Sequence, residues 1–197
     1  HRWEIDIVQG ANIPVTPGQE LNLTINLTNI GNTDDLLTLT PTFEITYQGS
    51  DASNWSAQTI NSSRLDVFES QTLHLVVEIP EDTWATTTAE LTLFASSSGF
   101  DIGYNVSTNL EVAAVAGWRI DLTNTSLEVP PTGGEIQLLI EQKGNSPAKP
   151  YFAKAGQGWK VTIPSSGDMI SPGESGTINI TVIPPSVAIA GEVGVVS

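Results

Sequence analysis

Seven Asn-x-Ser/Thr triplets stand in this sequence, at Asn22, Asn26, Asn54, Asn61, Asn105, Asn124 and Asn179. In such a triplet the asparagine carboxamide nitrogen can accept an N-linked glycan, and the hydroxyl two residues on completes the acceptor. Twelve asparagines and 40 serines and threonines would give roughly two or three triplets by chance. These seven are the candidate N-glycosylation sites. Glycans would shield the surface from proteases, and they need side chains that face solvent.

Other chemistry is poorly supplied. Histidine occurs twice, at His1 and His74, and there is no cysteine. A Ser/His/Asp triad would need His74 buried beside a nucleophile, and strand alternation turns it outward. Zinc is not expected with one internal histidine and no thiolate. We therefore expect no catalytic residue, no cofactor-binding residue and no resident metal, and hence no enzyme. Asp34-Asp35, Glu81-Asp82 and Asp101 are carboxylates that loops at one end of a domain could converge on calcium, although no EF-hand or glycine-aspartate repeat accompanies them. Of the five tryptophans, Trp84 has no counterpart elsewhere in the chain. An exposed Trp84 beside Glu81 and Asp82 is the candidate ligand contact, since exposed aromatic rings stack on pyranoses.

The elements that must position these groups are strands. In Leu21-Asn22-Leu23-Thr24-Ile25-Asn26-Leu27-Thr28 every odd position is apolar and every even one polar, the period of a half-buried antiparallel strand. Leu73, Leu75, Val77 and Ile79 make a second inward face; Leu37, Leu39, Phe43 and Ile45 a third; Val106, Leu110 and Val112 a fourth. Asn22, Asn26, Asn105 and Asn179 fall on the solvent faces. Turn signals such as Pro17-Gly18, Thr132-Gly133-Gly134 and Pro172-Gly173 separate the strands. No segment shows a sustained helical stripe, and no run of 18 apolar residues could cross a membrane as a helix.

The chain states this pattern twice. Trp3-Glu4-Ile5-Asp6 returns as Trp118-Arg119-Ile120-Asp121, Gly31-Asn32 as Gly144-Asn145, Trp55 as Trp159, Glu69-Ser70 as Glu174-Ser175 and Ile79-Pro80 as Ile183-Pro184, at offsets of 115, 113, 104, 105 and 104. A period near 110 is the size of one small β domain. The expected fold is all-β: two tandem immunoglobulin-like β-sandwiches, residues 1–115 and 116–197, the second lacking its last strand. The junction near Val115-Ala116-Gly117 is short, so restricted interdomain motion is expected. Glu192-Val193-Gly194-Val195 matches Glu90-Leu91-Thr92-Leu93, and the final strand has no counterpart. Either the natural chain continues past Ser197, or another chain donates a strand by β-augmentation.

Charge bounds the partners. The formal net charge of −15 divides as −13 over residues 1–115 and −2 over the remainder. Such acidity argues against nucleic acid, whose binding needs Lys and Arg, and against an anionic membrane face. Lys143, Lys149, Lys154 and Lys160 lie in the second half, an asymmetry that a head-to-tail contact between copies would use.

Two runs carry a family likeness. One is Pro17-Gly18-Gln19-Glu20 before an alternating strand, then Thr28-Asn29-Ile30-Gly31-Asn32 and a lone Trp55. The other is Gly158-Trp159-Lys160-Val161-Thr162-Ile163, Ile170-Ser171-Pro172-Gly173-Glu174-Ser175 and Ile180-Thr181-Val182-Ile183-Pro184. The sequence resembles the Ig-like domains associated with alpha-galactosidases (the NPCBM-associated type) and the cell-adhesion-related (CARDB-like) domains of prokaryotic surface proteins. It departs from them by losing the Thr-Asn before Gly144 and by a longer stretch near 43–54. The resemblance implies a spacer, stalk or adhesion module with no catalytic residues. The expected function is thus a structural or adhesive Ig-like repeat of an extracellular or cell-surface glycoprotein, including filament- or S-layer-forming ones. The alternative is an accessory or carbohydrate-binding module of a secreted glycoside hydrolase or protease. Expected partners are other domains or copies of the same protein, with polysaccharide under the alternative.

Overall fold

The computed structural model describes residues 1–47, 54–97, 100–122, 128–152 and 159–190, and for residues 100–102 and 122 the backbone only. Asn124, Lys154 and the segment Glu192–Val195 lie outside the described residues. All described regular structure is β, as the alternation requires, and the fold is an immunoglobulin-like sandwich. The chain divides into two compact units, His1–Val115 and Ala116–Ser197.

Unit 1 contains β1 (Trp3–Ile7), β2 (Asn12–Val15), β3 (Glu20–Asn29), β4 (Leu37–Thr46), β5 (Ser56–Ala57), β6 (Ile60–Asn61), β7 (Ser70–Glu78), β8 (Thr88–Ser97) and β9 (Phe100–Val112). One sheet has the order β1-β3-β7-β5 and the other β2-β9-β8-β4-β6. Their inner faces share a single apolar core. Leu23, Ile25 and Leu27 of β3 and Val77 of β7 meet Leu37, Leu39, Leu91, Leu93 and Leu110 of the opposite sheet, all with no exposed surface. Each such side chain contributes about 1.5–3 kcal/mol relative to exposure. The first segment serves both sheets: β1 runs antiparallel to β3, while β2 pairs in parallel with β9. Alternation gives no direction of pairing, so that parallel pairing is absent from the sequence reading. Sheet edges are blunted by the two-residue β5 and β6 and by Pro14 in β2.

Unit 2 contains β10 (Trp118–Leu122), β11 (Gly134–Gln142), β12 (Lys160–Thr162) and β13 (Ser175–Ile183), in one sheet of order β10-β11-β13-β12. Leu138, Ile140, Val161, Ile170, Ile178, Ile180 and Val182 form its smaller core. Isolated antiparallel bridges join Ala148 to Ile170 and Tyr151 to Ser166 outside this sheet.

The two units repeat at the level of hydrogen bonds. Trp3 stands opposite Asn29, and Trp118 opposite Gln142. The Asn29 carboxamide donates to the carbonyls of Thr33 and Leu65 and accepts from Gly31 N–H. Gln142 does the same work one methylene longer, donating to the Ser146 carbonyl and accepting from Gly144 N–H. The missing Thr-Asn of the second copy is therefore replaced in function. The turn before β7 repeats as well, with Phe68 N–H on the Asn29 carbonyl and Gly173 N–H on the Gln142 carbonyl. Both residues are left-handed, at φ 67° and 76°. Glycine is suited to that conformation; Phe68, 76% exposed, is not.

Candidate functional site

The acidic pair Asp34-Asp35 is split by the strand that follows it. Asp34 is exposed and accepts from Arg64 Nη1 at 3.0 Å, and that hydrogen bond, with the Thr33 hydroxyl and the Arg64 charge, holds its carboxyl below the usual range. Asp35 turns inward and is 1% exposed. Its Oδ2 accepts from Trp3 Nε1 at 3.2 Å, from His1 Nδ1 at 2.8 Å and from the Ser97 hydroxyl. Oδ1 accepts from Leu36 N–H at 2.8 Å. Serine, histidine and aspartate thus meet, but not as a relay. The carboxylate is the shared acceptor, so the cluster fastens β1 to the start of β4 and the end of β8. Asp34 therefore faces solvent and Asp35 the core. At the equivalent place in unit 2 stands Ala148, bridged to Ile170 as Asp35 is to Leu65.

His74 is exposed, opposite Thr24 on the outer face. Trp84 is half-buried rather than exposed, while Glu81 and Asp82 are exposed. No group of three or more His, Asp or Glu placed to hold a metal ion occurs among the described residues. Asp101 belongs to β9, where only the backbone is described. Asn22, Asn26, Asn54, Asn61, Asn105 and Asn179 are all exposed. Lys143 pairs with Glu141 on the same segment, and Lys149 and Lys160 are exposed.

A different feature collects shape and unused bonding capacity in one place. β13 is paired along Ser175–Val182 by β11 on one side, but β12 covers the other side only at Thr181–Ile183. Glu174 turns its carbonyl to Gln142. By the alternation of an antiparallel ladder, Thr177 and Asn179 then direct their backbone N–H and C=O away from β11. Among the described residues no strand receives them. A cleft of about 300 Å³ runs along this flank, lined by Pro150, Pro164, Ser166, Gly167, Asp168, Ile170, Gly176, Thr177, Ile178 and Asn179. Two glycines shape it. A Cβ on Gly176 would lie 2.8 Å from Ile170 Cδ1, and one on Gly167 would lie 3.0 Å from Pro150 Cγ. Met169 and Tyr151 are exposed nearby in the chain, at 58% and 81%. The arrangement offers backbone bonding and an apolar floor, which suits an extended peptide and no particular reaction. The sequence reading placed a gap in the second unit at its end; the signal for this flank was the shortness of the apolar run after Trp159.

No family model matches the sequence, and no curated protein matches it. Among solved structures the chain is similar to the YadV chaperone, with 12% identity over 98% of this chain and 87% of that one, at a TM-score of 0.36. It is similar to a chain of a chaperone–tip adhesin complex of CFA/I fimbriae biogenesis, with 10% identity, coverage of 100% and 98%, and a TM-score of 0.37. It is also similar to a chain of the CsuC-CsuE chaperone–tip subunit pre-assembly complex from Csu pili of Acinetobacter baumannii, with 12% identity, coverage of 100% and 94%, and a TM-score of 0.34. At these identities the likeness concerns the fold alone. The similar structures are a chaperone and chains of two chaperone–tip subunit complexes, and this overturns the structural or adhesive repeat expected from the sequence and its alternative of a hydrolase accessory module.

Proposed function

We propose that this chain is a non-catalytic protein-binding module of an extracytoplasmic protein, and that it takes up an extended segment of a protein partner by strand addition along the open flank of β13. The observation supporting this reading is that, among the described residues, no strand pairs with the outward backbone of Thr177 and Asn179, beside a cleft lined by Ile170 and Ile178. Main-chain bonds to a sheet edge supply affinity, and pockets for alternate side chains supply selectivity. The acidic surface favours protein over nucleic acid as partner, and the excess of Asn-x-Ser/Thr triplets favours a setting outside the cytoplasm. Association through an open strand is also the kind of encounter that a chaperone and its subunit make, so a chaperone-like role falls within this reading.

The test uses a labelled, lysine-flanked peptide of alternating valine and threonine, followed by fluorescence anisotropy and by amide exchange at Thr177 and Asn179. Binding should slow exchange at both positions. Thr177→Pro should abolish binding while leaving the β11 ladder intact, because it removes only an outward N–H at an edge. Unchanged exchange in the presence of peptide, or full binding by Thr177→Pro, would refute the reading.

A further inference from the structure

The outward faces of β3 and β7 are built unlike most of unit 1, with carboxylates of the sheet lying beside them on β1, where Glu4 stands opposite Thr28 and Asp6 opposite Asn26. That unit carries 15 acidic side chains. Yet the outward positions of β3 from Asn22 to Thr28, and of β7 from Ser70 to Val76, hold no carboxylate, Lys or Arg. The strip is made of hydroxyls, carboxamides, His74 and one exposed apolar residue, Val76, which is 42% exposed and directly opposite Asn22.

Two Asn-x-Thr triplets lie in this strip in a geometry that an extended strand alone provides. The middle residues Leu23 and Leu27 have no exposed surface and anchor the core. Alternation then sets Asn22 with Thr24, and Asn26 with Thr28, on the same solvent face. Asn22 and Asn26 are themselves exposed and stand about 13 Å apart along the strand. Asn26 Oδ1 accepts the Thr72 hydroxyl at 2.9 Å. The carboxamide is thereby oriented through its oxygen, and Nδ2 is left without a protein hydrogen bond among the described residues.

We propose that Asn22 and Asn26 carry N-linked glycans that cover this uncharged strip, Val76 included. In the transfer, Nδ2 attacks the anomeric carbon of a lipid-linked oligosaccharide. A base of the cell's glycosyltransferase takes the amide proton. The anomeric C–O bond breaks, and the lipid phosphate or pyrophosphate leaves with the electron pair. The proposal stands independently of the strand-addition reading, which concerns unit 2.

The experiment is glycopeptide mass spectrometry of the full chain purified from the cells that make it. Cleavage before aspartate yields Asp6–Thr33, which contains both sites. The expected result is carbohydrate on Asn22 and Asn26. Thr24→Ala should remove the first and Thr28→Ala the second, although each asparagine remains. Asn22→Gln and Asn26→Gln should give the same losses if either threonine variant fails to fold. A peptide of unmodified mass overturns the proposal. So does sugar that survives both threonine changes, because the linkage would then not be the one argued.

Discussion

Replacing Asp35 by alanine should loosen unit 1 far more than a typical surface change. The carboxylate accepts from Trp3 Nε1 and the Ser97 hydroxyl, and Trp3, Asp35 and Ser97 are 4%, 1% and 0% exposed. Its removal leaves two buried donors without this acceptor, and each orphaned group costs about 1–3 kcal/mol. The total expected loss is roughly 3–5 kcal/mol, in the range for breaking a buried charged network by removing one partner. Hydrogen exchange of β3 and β8 amides reads unit 1 by itself, whatever unit 2 does. At 1.4 kcal/mol per factor of ten, globally protected amides should exchange about a hundred- to several-thousand-fold faster. Adding Trp3→Phe and Ser97→Ala to Asp35→Ala removes the stranded donors and should recover about 1–3 kcal/mol. A loss below about 1 kcal/mol, or no recovery in the triple variant, would show that the network is not what fastens β1.

Gly133→Ala should destabilise unit 2 by about 1–3 kcal/mol, as measured by urea unfolding. Its φ is +100°, and an added Cβ would sit 2.8 Å from Ile183 Cγ1 and 3.0 Å from the Val182 carbonyl oxygen. Phe68→Gly should leave unit 1 as stable or up to about 1 kcal/mol more stable: relief of a left-handed backbone, about 1–2 kcal/mol, outweighs glycine's unfolded-state entropy, about 0.5–1 kcal/mol. The reverse change, Gly173→Phe, should cost unit 2 stability in the same assay. Arg64→Gln should raise the titration of Asp34 toward the ordinary carboxylate range, read by carboxyl-carbon NMR. The folded carboxyl lies below its unfolded value. Its contribution is therefore present above the unfolded value and lost as pH falls through the folded one. Both groups are solvated, so stability at neutral pH should hardly change.

The sequence disclosed the strands and their faces, because each apolar residue at spacing two had a core to enter. It disclosed less wherever a polar residue did a core residue's work. Asp35 shares the parity of Leu37 and Leu39, and that parity was the available sign that it points inward; beside Asp34 it reads as surface charge. Gln142 could not be matched to Asn29 by identity, since what recurs is a carboxamide reaching a turn and not a residue type. Trp84 lacks a repeat partner, which suggested an exposed ring, yet it sits half-buried. The open flank of β13 depends on how far β12 extends, and strand length at an edge is set by neighbours more than by propensity.

The parallel pairing of β2 with β9 ties Ile13 to Leu110 and Val15 to Val112. Nearly a hundred residues of chain must therefore be closed before that seam can form, a long-range contact of the kind that slows folding. On the ribosome the opening residues of unit 1 emerge long before their partner strand exists. Until then Ile13 and Val15 have no sheet to join and remain apolar surface open to solvent. Moving residues 1–15 behind residue 115 by circular permutation would bring β2 close to β9 along the chain but part β1 from β3 by a similar length, so the permuted unit should refold no faster than the natural order.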